Sequence, residues 1–299
     1  MRNNIYTGTV LAIVAVIIWS GNFIAARGII SQISPINLAF YRWLTASIIL
    51  FPFAIKQLLA EKETLLQHKG YFFWTALSGI ALFNTFVYIA AHHVPAINLA
   101  LIGTTLSPVF AIILAAVFLK EPVRPLRIAG LLLCVSGIVL LLSRGSWQRL
   151  QNLRFTSGDG WIVAAAFTFA VYTILVRRKP AGISPRAYLL AVFTGGTLLL
   201  LPWFVYEQVS ASRIEWSTNL LLVILYLGAG ASVIAFLCWN LAIARLGAAR
   251  TAIFGNLIPV FASLEAVWIL NEQITWLHGI SSLLVLAGLV LANMRKANP

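Results

Sequence analysis

Residues 248–272 read AARTAIFGNLIPVFASLEAVWILNE, an apolar run with Pro259 near its middle and a carboxylate, Glu265, further along. About 151 positions earlier, residues 96–121 read AINLALIGTTLSPVFAIILAAVFLKE. Each run holds a glycine, then Pro-Val-Phe, then a closing glutamate, in the same order. The second run repeats the first, so we predict that the chain is a duplication.

Glycine and proline interrupt the two runs at matching places, Gly103 and Pro108 in the first and Gly255 and Pro259 in the second. A broken membrane helix is tolerated only where it lines a cavity or is buried in protein. A matching pair of such helices in two halves points to a transporter binding site. We therefore predict these four residues as hinges and transport as the leading function.

The composition indicates an integral membrane protein. Of all residues 61% are hydrophobic and 10% are charged, and the mean hydropathy is +0.92, unlike a typical soluble domain. Apolar runs of roughly 18 residues or more, the length that crosses a bilayer, begin at about residues 5, 35, 71, 97, 126, 160, 186, 219, 249 and 276. The predicted fold is all-α, with ten transmembrane helices.

The duplication divides these helices into two five-helix repeats, residues 1–148 and residues 149–299. Five is an odd number, so the second repeat crosses the membrane in the opposite sense and the repeats are predicted to be inverted. The tripeptide Ile-Ser-Pro at 33–35 recurs at 183–185, before the second helix of each repeat. Lys and Arg residues concentrate in alternating loops, which places both termini in the cytoplasm.

The net charge of +13 does not indicate a nucleic-acid partner. The basic residues lie in short segments between apolar runs, where they set the topology and contact lipid headgroups. The predicted partners are membrane lipids and a small-molecule substrate.

Short motifs resemble a known group of transporters. They are Trp-Ser-Gly-Asn-Phe at 19–23, Phe-Tyr-Arg at 40–42, and the paired runs 108–121 and 259–272. Together with the inverted duplication, they resemble the drug/metabolite transporter superfamily, specifically its ten-helix EamA-type exporters. The resemblance implies a basket of helices around a central cavity in the bacterial cytoplasmic (inner) membrane. It also implies a cargo drawn from amino acids, other metabolites or drugs.

Two ionisable residues, Arg42 and Glu265, lie inside predicted spans. A charge at the centre of a membrane helix costs roughly 2.5–3.5 kcal/mol on insertion scales, so both are functional candidates. Both are predicted at similar depth, where they could pair. Their counterparts in the other repeat, Val192 and Leu114, are apolar. Arg42 either binds a substrate carboxylate or is structural, and Glu265 is either a proton carrier or a cation partner.

Amide and aromatic residues within or beside the spans predict an amphipathic cavity. Such a cavity suits a small metabolite with apolar and hydrogen-bonding parts, such as an amino acid. Interfacial belts of Trp and Tyr are the alternative interpretation. With the two charged residues, the candidate substrate-binding residues are Trp19, Asn22, Arg42, Asn84, Tyr88, Trp239, Asn256 and Glu265.

No metal site or cofactor is predicted. His92 and His93 end the third span, where a pair of histidines could bind a metal ion, but no further Cys, His or carboxylate lies nearby in sequence. Glu121 and Glu272 close their helices beside the headgroup region. We interpret both glutamates as helix-end anchors.

The sequence contains no GxxxxGK[ST] phosphate loop, so secondary transport is predicted, with protons as one candidate coupling ion. The mechanism predicted is alternating access, in which spans 3–4 and 8–9 rock about the hinges while the other spans form a frame. The chain is not predicted to be an enzyme. The alternatives are an intramembrane enzyme acting on a lipid-linked substrate and a non-transporting membrane scaffold.

Overall fold

A computed structural model of the chain describes residues 2–120, 125–143, 156–210, 216–246 and 254–293, together with 146, 214 and 251. Within these ranges the regular secondary structure is helical. The helices are α1 (Arg2–Gly28), α2 (Pro35–Ala60), α3 (Lys62–Gln67), α4 (Lys69–Ala91), α5 (Ala96–Phe118), α6 (Pro125–Leu142), α7 (Ser157–Arg177), α8 (Pro185–Ser210), α9 (Thr218–Leu246), α10 (Ile258–Leu270) and α11 (Trp276–Asn293). The predicted repeat boundary at residues 148 and 149 lies outside the described residues.

Seven of these helices are long and apolar enough to cross a membrane: α1, α2, α4, α5, α7, α8 and α9. The other three apolar helices, α6, α10 and α11, contain shorter apolar stretches. They occupy the places predicted for spans 5, 9 and 10. The all-α prediction is confirmed for the described residues, and the count of ten crossings stays a prediction.

α2 and α8 pack side by side and run antiparallel. Ser34, just before α2, donates a hydrogen bond from its Oγ to the carboxylate of Glu207, near the end of α8. The backbone N–H of Ser184, just before α8, donates to the carboxylate of Glu61, just after α2, at 2.8 Å. The start of each helix therefore meets the end of the other.

Residues at matching places of the two halves contact each other. Trp43 of α2 packs on Phe193 of α8 with ring centroids 4.8 Å apart. The Cys134 thiol of α6 donates to the carbonyl oxygen of Val285 in α11, 151 positions later, at 3.6 Å. A side-chain carbon at Gly288 would lie 2.7 Å from the Cys134 sulfur, so glycine permits this close approach. Contacts between matching residues of two similar units are characteristic of an interface with two-fold symmetry.

The first helix of each half packs on the other half. α1 lies against α9 and α10, whereas α7 lies against α4 and α5. The sequence prediction assigned spans 1 and 6 to a fixed frame, but these two helices pack along the helices predicted to move. The structure therefore groups α1 with α9 and α10, and α7 with α4 and α5.

The two proline-containing runs differ in structure. α5 continues through Pro108, so the predicted break is absent there. A proline inside a helix removes one hydrogen bond, and the helix can resume beyond it. In the later run, Asn256 and Leu257 form a turn, and α10 begins with Pro259 in its first turn. Proline is well accommodated there because the first N–H groups of a helix have no partner within the helix.

α4 and α9 each contain a π-helical segment, Leu77–Leu82 in α4 and Tyr226–Ile234 in α9. The two segments lie at matching places of the two halves. Gly79 in the first segment faces the ring of Tyr172 in α7, and a side-chain carbon there would lie 2.1 Å from the ring. π-Helical insertions frequently mark functional sites, so these segments direct attention to the side chains that they position.

Candidate functional site

One turn of α1, residues 19–22, is the centre of the candidate site because its residues contact four other helices, α2, α4, α9 and α10. Trp19 Nε1 donates to the carbonyl oxygen of Ala231, in the π-helical segment of α9, at 3.0 Å. Gly21 leaves room for the hydroxyl of Tyr226, since a side-chain carbon at Gly21 would lie 2.1 Å from that oxygen. These contacts fix α1 against α9.

Asn22 belongs to a buried polar cluster around the guanidinium group of Arg42, which is only 5% exposed. The Nη1 atom lies within hydrogen-bond distance of three oxygens: Asn22 Oδ1, Asn84 Oδ1 at 2.7 Å and the Tyr88 hydroxyl at 2.9 Å. The Nε atom donates to Ser232 Oγ at 3.0 Å. All four partners are neutral, so none of them cancels the positive charge. Four predicted residues, Asn22, Arg42, Asn84 and Tyr88, are brought together here.

The π-helical segments position two partners of Arg42. Ser232 lies in the α9 segment, where its Oγ donates to the carbonyl oxygen of Leu227, five residues earlier, at 2.9 Å. Asn84 follows the α4 segment by two residues and is 1% exposed. The cluster therefore combines side chains of α1, α2 and α4 with one of α9, so it joins the two halves of the chain.

An aromatic group lies beside this cluster. The ring of Trp19 packs against Trp239 and Phe236 of α9, with centroid distances of 5.1 and 5.4 Å. Gly255 faces the same group, because a side-chain carbon there would lie 3.7 Å from the Trp239 ring. Asn256 is half-buried in the turn that follows Gly255. Trp19, Trp239 and Gly255 therefore meet close to the break in the later proline-containing run.

Glu265 of α10 is half-buried and contacts α1 on a different side. Its Oε1 lies 2.7 Å from Ser20 Oγ, and its Oε2 is buried without a hydrogen-bond partner among the described residues. The suggested pair of Arg42 and Glu265 is not formed. The residues that they contact, Asn22 and Ser20, are about 3 Å apart along the helix but about 200° apart around it. Arg42 and Glu265 thus have similar depth but lie on different sides of α1.

The remaining predicted hinges, Gly103, Pro108 and Pro259, are buried or half-buried. Gly103 of α5 faces Ile162 of α7, where a side-chain carbon would lie 3.1 Å from the Ile162 methyl group. Pro259 is buried, and Pro108 is half-buried. Gly103 thus allows α5 and α7 to approach closely, and its role as a hinge stays a prediction.

Glu272 joins the end of α10 to the start of α5. Its carboxylate accepts hydrogen bonds from the backbone N–H groups of Ala96 at 2.7 Å and Ile97 at 3.1 Å. A carboxylate at a helix N-terminus satisfies unpaired N–H groups and complements the helix dipole. This contact agrees with the interpretation of Glu272 as a helix-end anchor, whereas Glu121 lies outside the described residues.

His92 and His93 follow α4 and are exposed. Within the described residues, no group of three or more His, Cys, Asp or Glu side chains could hold a metal ion. Partial desolvation, followed by the charges of His93 and Arg27, lowers the pKa of His92. This lowering of the pKa favours the neutral imidazole at His92.

Sequence reasoning did not select three residues of the site, namely Ser20, Tyr226 and Ser232. Ser20 stands in the quoted Trp-Ser-Gly-Asn-Phe motif, but no spacing rule connects it to Glu265. Tyr226 and Ser232 bound a segment rich in small residues, Leu-Gly-Ala-Gly-Ala at 227–231. This small-residue run was the available signal that another helix approaches closely there.

Comparison with known proteins identifies the class to which this fold and site belong. The family model described as "EamA-like transporter family" matches the chain twice, over residues 6–143 and 156–294. The chain therefore belongs to the EamA-like transporter family and is a multi-pass membrane protein built from two family repeats.

Similar proteins are named as transporters. The chain is 27% identical over 290 residues to an "Uncharacterized transporter" of Archaeoglobus fulgidus, covering 96% of this chain and 97% of the relative. It is 27% identical to a "Probable terminal-alkyne amino-acid exporter" of Streptantibioticus cattleyicolor, covering 95% and 92%. It is 24% identical to a "Probable amino-acid metabolite efflux pump" of Escherichia coli, covering 94% and 93%.

A solved crystal structure shares the fold. It superposes with a TM-score of 0.64 at 20% sequence identity and covers 96% of both chains. At this identity the similarity describes the arrangement of the helices alone. The family model and the named relatives establish the transporter class.

Proposed function

We propose that this protein is a secondary transporter that exports small amphipathic metabolites, such as amino acids or drugs, across the bacterial cytoplasmic membrane. Both termini lie in the cytoplasm in this proposal, and protons are the coupling ion. Support for export comes from the similarity to an amino-acid metabolite efflux pump and a terminal-alkyne amino-acid exporter.

The observation that carries the proposal is the buried guanidinium group of Arg42, whose four hydrogen-bond partners in the described part of the chain are neutral oxygens. A buried cation is costly in a membrane and is normally paired or functional. An anionic group of a substrate would supply the missing countercharge. Hydrogen bonds from a guanidinium group to a carboxylate are roughly twice as strong as those between neutral groups, which favours amino acids and other carboxylates as cargo.

The aromatic group supplies the second half of an amphipathic site. Trp19 lies in the same turn of α1 as Asn22 of the Arg42 cluster, and its ring packs with Trp239 and Phe236. Sites for small molecules combine apolar and aromatic walls with a few placed polar groups. In our proposal the substrate carboxylate binds at Arg42 and its apolar part contacts Trp19 and Trp239.

Alternating access is proposed to use the helix groups that the packing defines. α1 with α9 and α10 forms one group, and α7 with α4 and α5 forms the other. The Arg42 cluster contains Asn22 from the first group and Asn84 from the second. A relative movement of the groups would therefore open and close the contacts around Arg42, which would connect substrate binding to the movement.

The substitution Asn84→Asp tests whether Arg42 binds substrate. The introduced aspartate would keep an oxygen acceptor where Asn84 Oδ1 lies 2.7 Å from Arg42 Nη1, and would add an internal carboxylate that competes with the substrate. We expect the purified variant to remain folded, because charge-assisted hydrogen bonds are stronger than neutral ones. We also expect it to lose the rise in unfolding temperature that carboxylate-bearing amino acids give the wild-type protein.

The matched control is Asn240→Asp, since Asn240 is an exposed amide of α9 outside the cluster. It should respond to the same compounds as the wild-type protein. A normal response of Asn84→Asp to carboxylate-bearing compounds would assign Arg42 a structural role. No response of the wild-type protein to any amino acid, amine or drug in the panel would contradict the proposed cargo.

A further inference from the structure

Ser20 has two hydrogen-bond acceptors for a single hydroxyl proton. Its Oγ lies 2.7 Å from the carbonyl oxygen of Ile17 and 2.7 Å from Glu265 Oε1. A serine hydroxyl carries one donor proton, so only one of these contacts can be donated by Ser20. The Ile17 carbonyl group carries no proton. A second proton for these two contacts can therefore come only from the carboxyl group of Glu265.

A protonated Glu265 satisfies both contacts. Its acid O–H would donate to Ser20 Oγ, and the Ser20 O–H would donate to the Ile17 carbonyl oxygen. Ser20 is fully buried, so bulk water does not reach this oxygen. An ionised Glu265 would leave two acceptors competing for one proton at 2.7 Å.

The second carboxylate oxygen supports the same protonation state. Oε2 of Glu265 is buried without a hydrogen-bond partner in the described part of the chain. A buried ionised oxygen without a partner carries a far larger desolvation cost than the carbonyl oxygen of a neutral acid. The environment around Oε2 therefore favours the neutral form.

Among the residues that the structure describes, the ionisable groups near Glu265 do not offer it a direct counterion. α10 packs on α5, whose residues 96–118 include no ionisable side chain, and on α1. On α1, Arg27 donates to the Ala91 carbonyl oxygen at 2.6 Å and lies about 10 Å further along the helix than Ser20. On α9, the hydroxyl of Tyr226 donates to the Ile18 carbonyl oxygen of α1 at 2.6 Å. Arg42 is held by its neutral partners on another side of α1.

The matching positions of the other half show that the scaffold does not require this polar pair. Counting back 151 positions from Glu265 leads to Leu114. Counting forward 150 positions from Ser20, the offset between the two Ile-Ser-Pro tripeptides, leads to Ala170. Both are apolar residues in the corresponding helices, α5 and α7. A helix pair of this kind can therefore be built without an acid and a hydroxyl group.

We propose that Glu265 is the proton-binding site of the transport cycle, that it holds a proton in the present conformation, and that Ser20 positions that proton. The inference rests on the proposed function and deepens it, because it assigns the coupling ion to one side chain. A proton from water outside the cell forms the O–H bond at Glu265. That bond breaks when the site faces the cytoplasm, and the proton passes to water there.

The protonation state can be measured without substrate by infrared spectroscopy of the purified protein in lipid. We expect the wild-type protein at neutral pH to show the carbonyl stretch of a protonated carboxylic acid, and Glu265→Gln to lack that band. A wild-type spectrum identical to that of Glu265→Gln in this region would overturn the proposal. The result holds whether or not a substrate has been identified, so it is independent of the proposed cargo.

The role of Ser20 can be tested by the direction in which Ser20→Ala shifts the pH at which the infrared band is half lost. If Ser20 accepts the acid proton, Ser20→Ala removes a contact of the protonated form, and the pH at which the band is half lost falls by roughly one unit. If Ser20 instead donates to an ionised carboxylate, the same variant raises that pH, which contradicts the proposal. Ser263→Ala is the matched control, because Ser263 of α10 bonds its own helix at the Pro259 carbonyl oxygen and should leave the band unchanged.

A transport measurement tests the coupling role of Glu265 separately from the proposed substrate. In proteoliposomes, Glu265→Gln should lose substrate accumulation driven by a pH gradient while retaining exchange of labelled for unlabelled substrate. Full gradient-driven transport in Glu265→Gln would overturn the coupling role. Absence of exchange in the wild-type protein would instead contradict the proposed function, while the infrared result would still decide the protonation of Glu265.

Discussion

The substitution Gly21→Ala tests the contact that fixes α1 against α9. The added carbon would lie 2.1 Å from the hydroxyl oxygen of Tyr226 and 3.0 Å from the ring carbon that bears it. Contact between carbon and oxygen is comfortable only beyond about 3.4 Å, so the hydroxyl group must withdraw by about 1 Å. That movement strains its hydrogen bond to the Ile18 carbonyl oxygen, now 2.6 Å long.

The expected cost follows from three contributions. Overpacking costs about 1–3 kcal/mol, and a lost hydrogen bond costs about 0.5–1.5 kcal/mol. Alanine is more favourable than glycine inside a helix, which stabilises the variant by about 0.5–1 kcal/mol. We therefore expect Gly21→Ala to lower the free energy of unfolding by about 2 kcal/mol.

The assay is reversible unfolding in mixed detergent micelles, with Tyr226→Phe and the double variant measured alongside. Tyr226→Phe removes the clashing oxygen, so the double variant should cost about 1 kcal/mol less than the sum of the single variants. Gly28→Ala is the matched control, because a side-chain carbon there would lie 3.5 Å from Leu270, an ordinary contact. Equal stability of Gly21→Ala and Gly28→Ala, or additive costs in the double variant, would refute the reasoning.

Two further outcomes are expected. Glu272→Ala should lower the free energy of unfolding by about 0.5–2 kcal/mol. Glu272→Gln should lower it by less, because the glutamine side chain can still accept hydrogen bonds from the N–H groups that start α5. Equal costs for the two variants would contradict the helix-capping role. Pro259→Ala should slow transport in proteoliposomes more than Pro108→Ala, because the later run is the broken one. Full transport activity in both stable proline variants would contradict the hinge assignment.

The presence of the helices and their duplication could be predicted from the sequence because each signal is local. An apolar run of sufficient length indicates a helix that crosses the bilayer, and the repeated Pro-Val-Phe marks the duplication. The family matches over residues 6–143 and 156–294 confirm two repeats. The sequence could not show whether the helix continues through Pro108. A proline can either break a helix or lie inside a continuous one, and packing decides which occurs.

The site was predictable in composition and less so in geometry. Arg42 was selected as an ionisable residue inside a predicted span, and Asn22, Asn84 and Tyr88 were selected as amide and aromatic residues within or beside the spans. The structure brings all four together. The sequence left open whether Arg42 and Glu265 pair, and the structure does not bring them together. Depth along a helix can be counted from the sequence, whereas the side of the helix that each partner approaches depends on packing.

Ser232 illustrates the same limit. It reaches Arg42 because α9 adopts a π-helical segment over Tyr226–Ile234, and a wider turn changes the direction of every side chain within it. Sequence periodicity assumes about 3.6 residues per turn, so it cannot anticipate which residue such a segment turns toward the site.

The central claim is that this protein moves a small amphipathic metabolite past the Arg42 cluster. The most direct measurement is efflux of labelled amino acids from preloaded proteoliposomes containing the wild-type protein, Asn84→Asp, Asn240→Asp or no protein. The account predicts rapid efflux with the wild-type protein and Asn240→Asp, and efflux of a carboxylate-bearing substrate at the protein-free rate with Asn84→Asp. Efflux that is equally rapid with Asn84→Asp, or no faster with the wild-type protein than without protein across the panel, would contradict it.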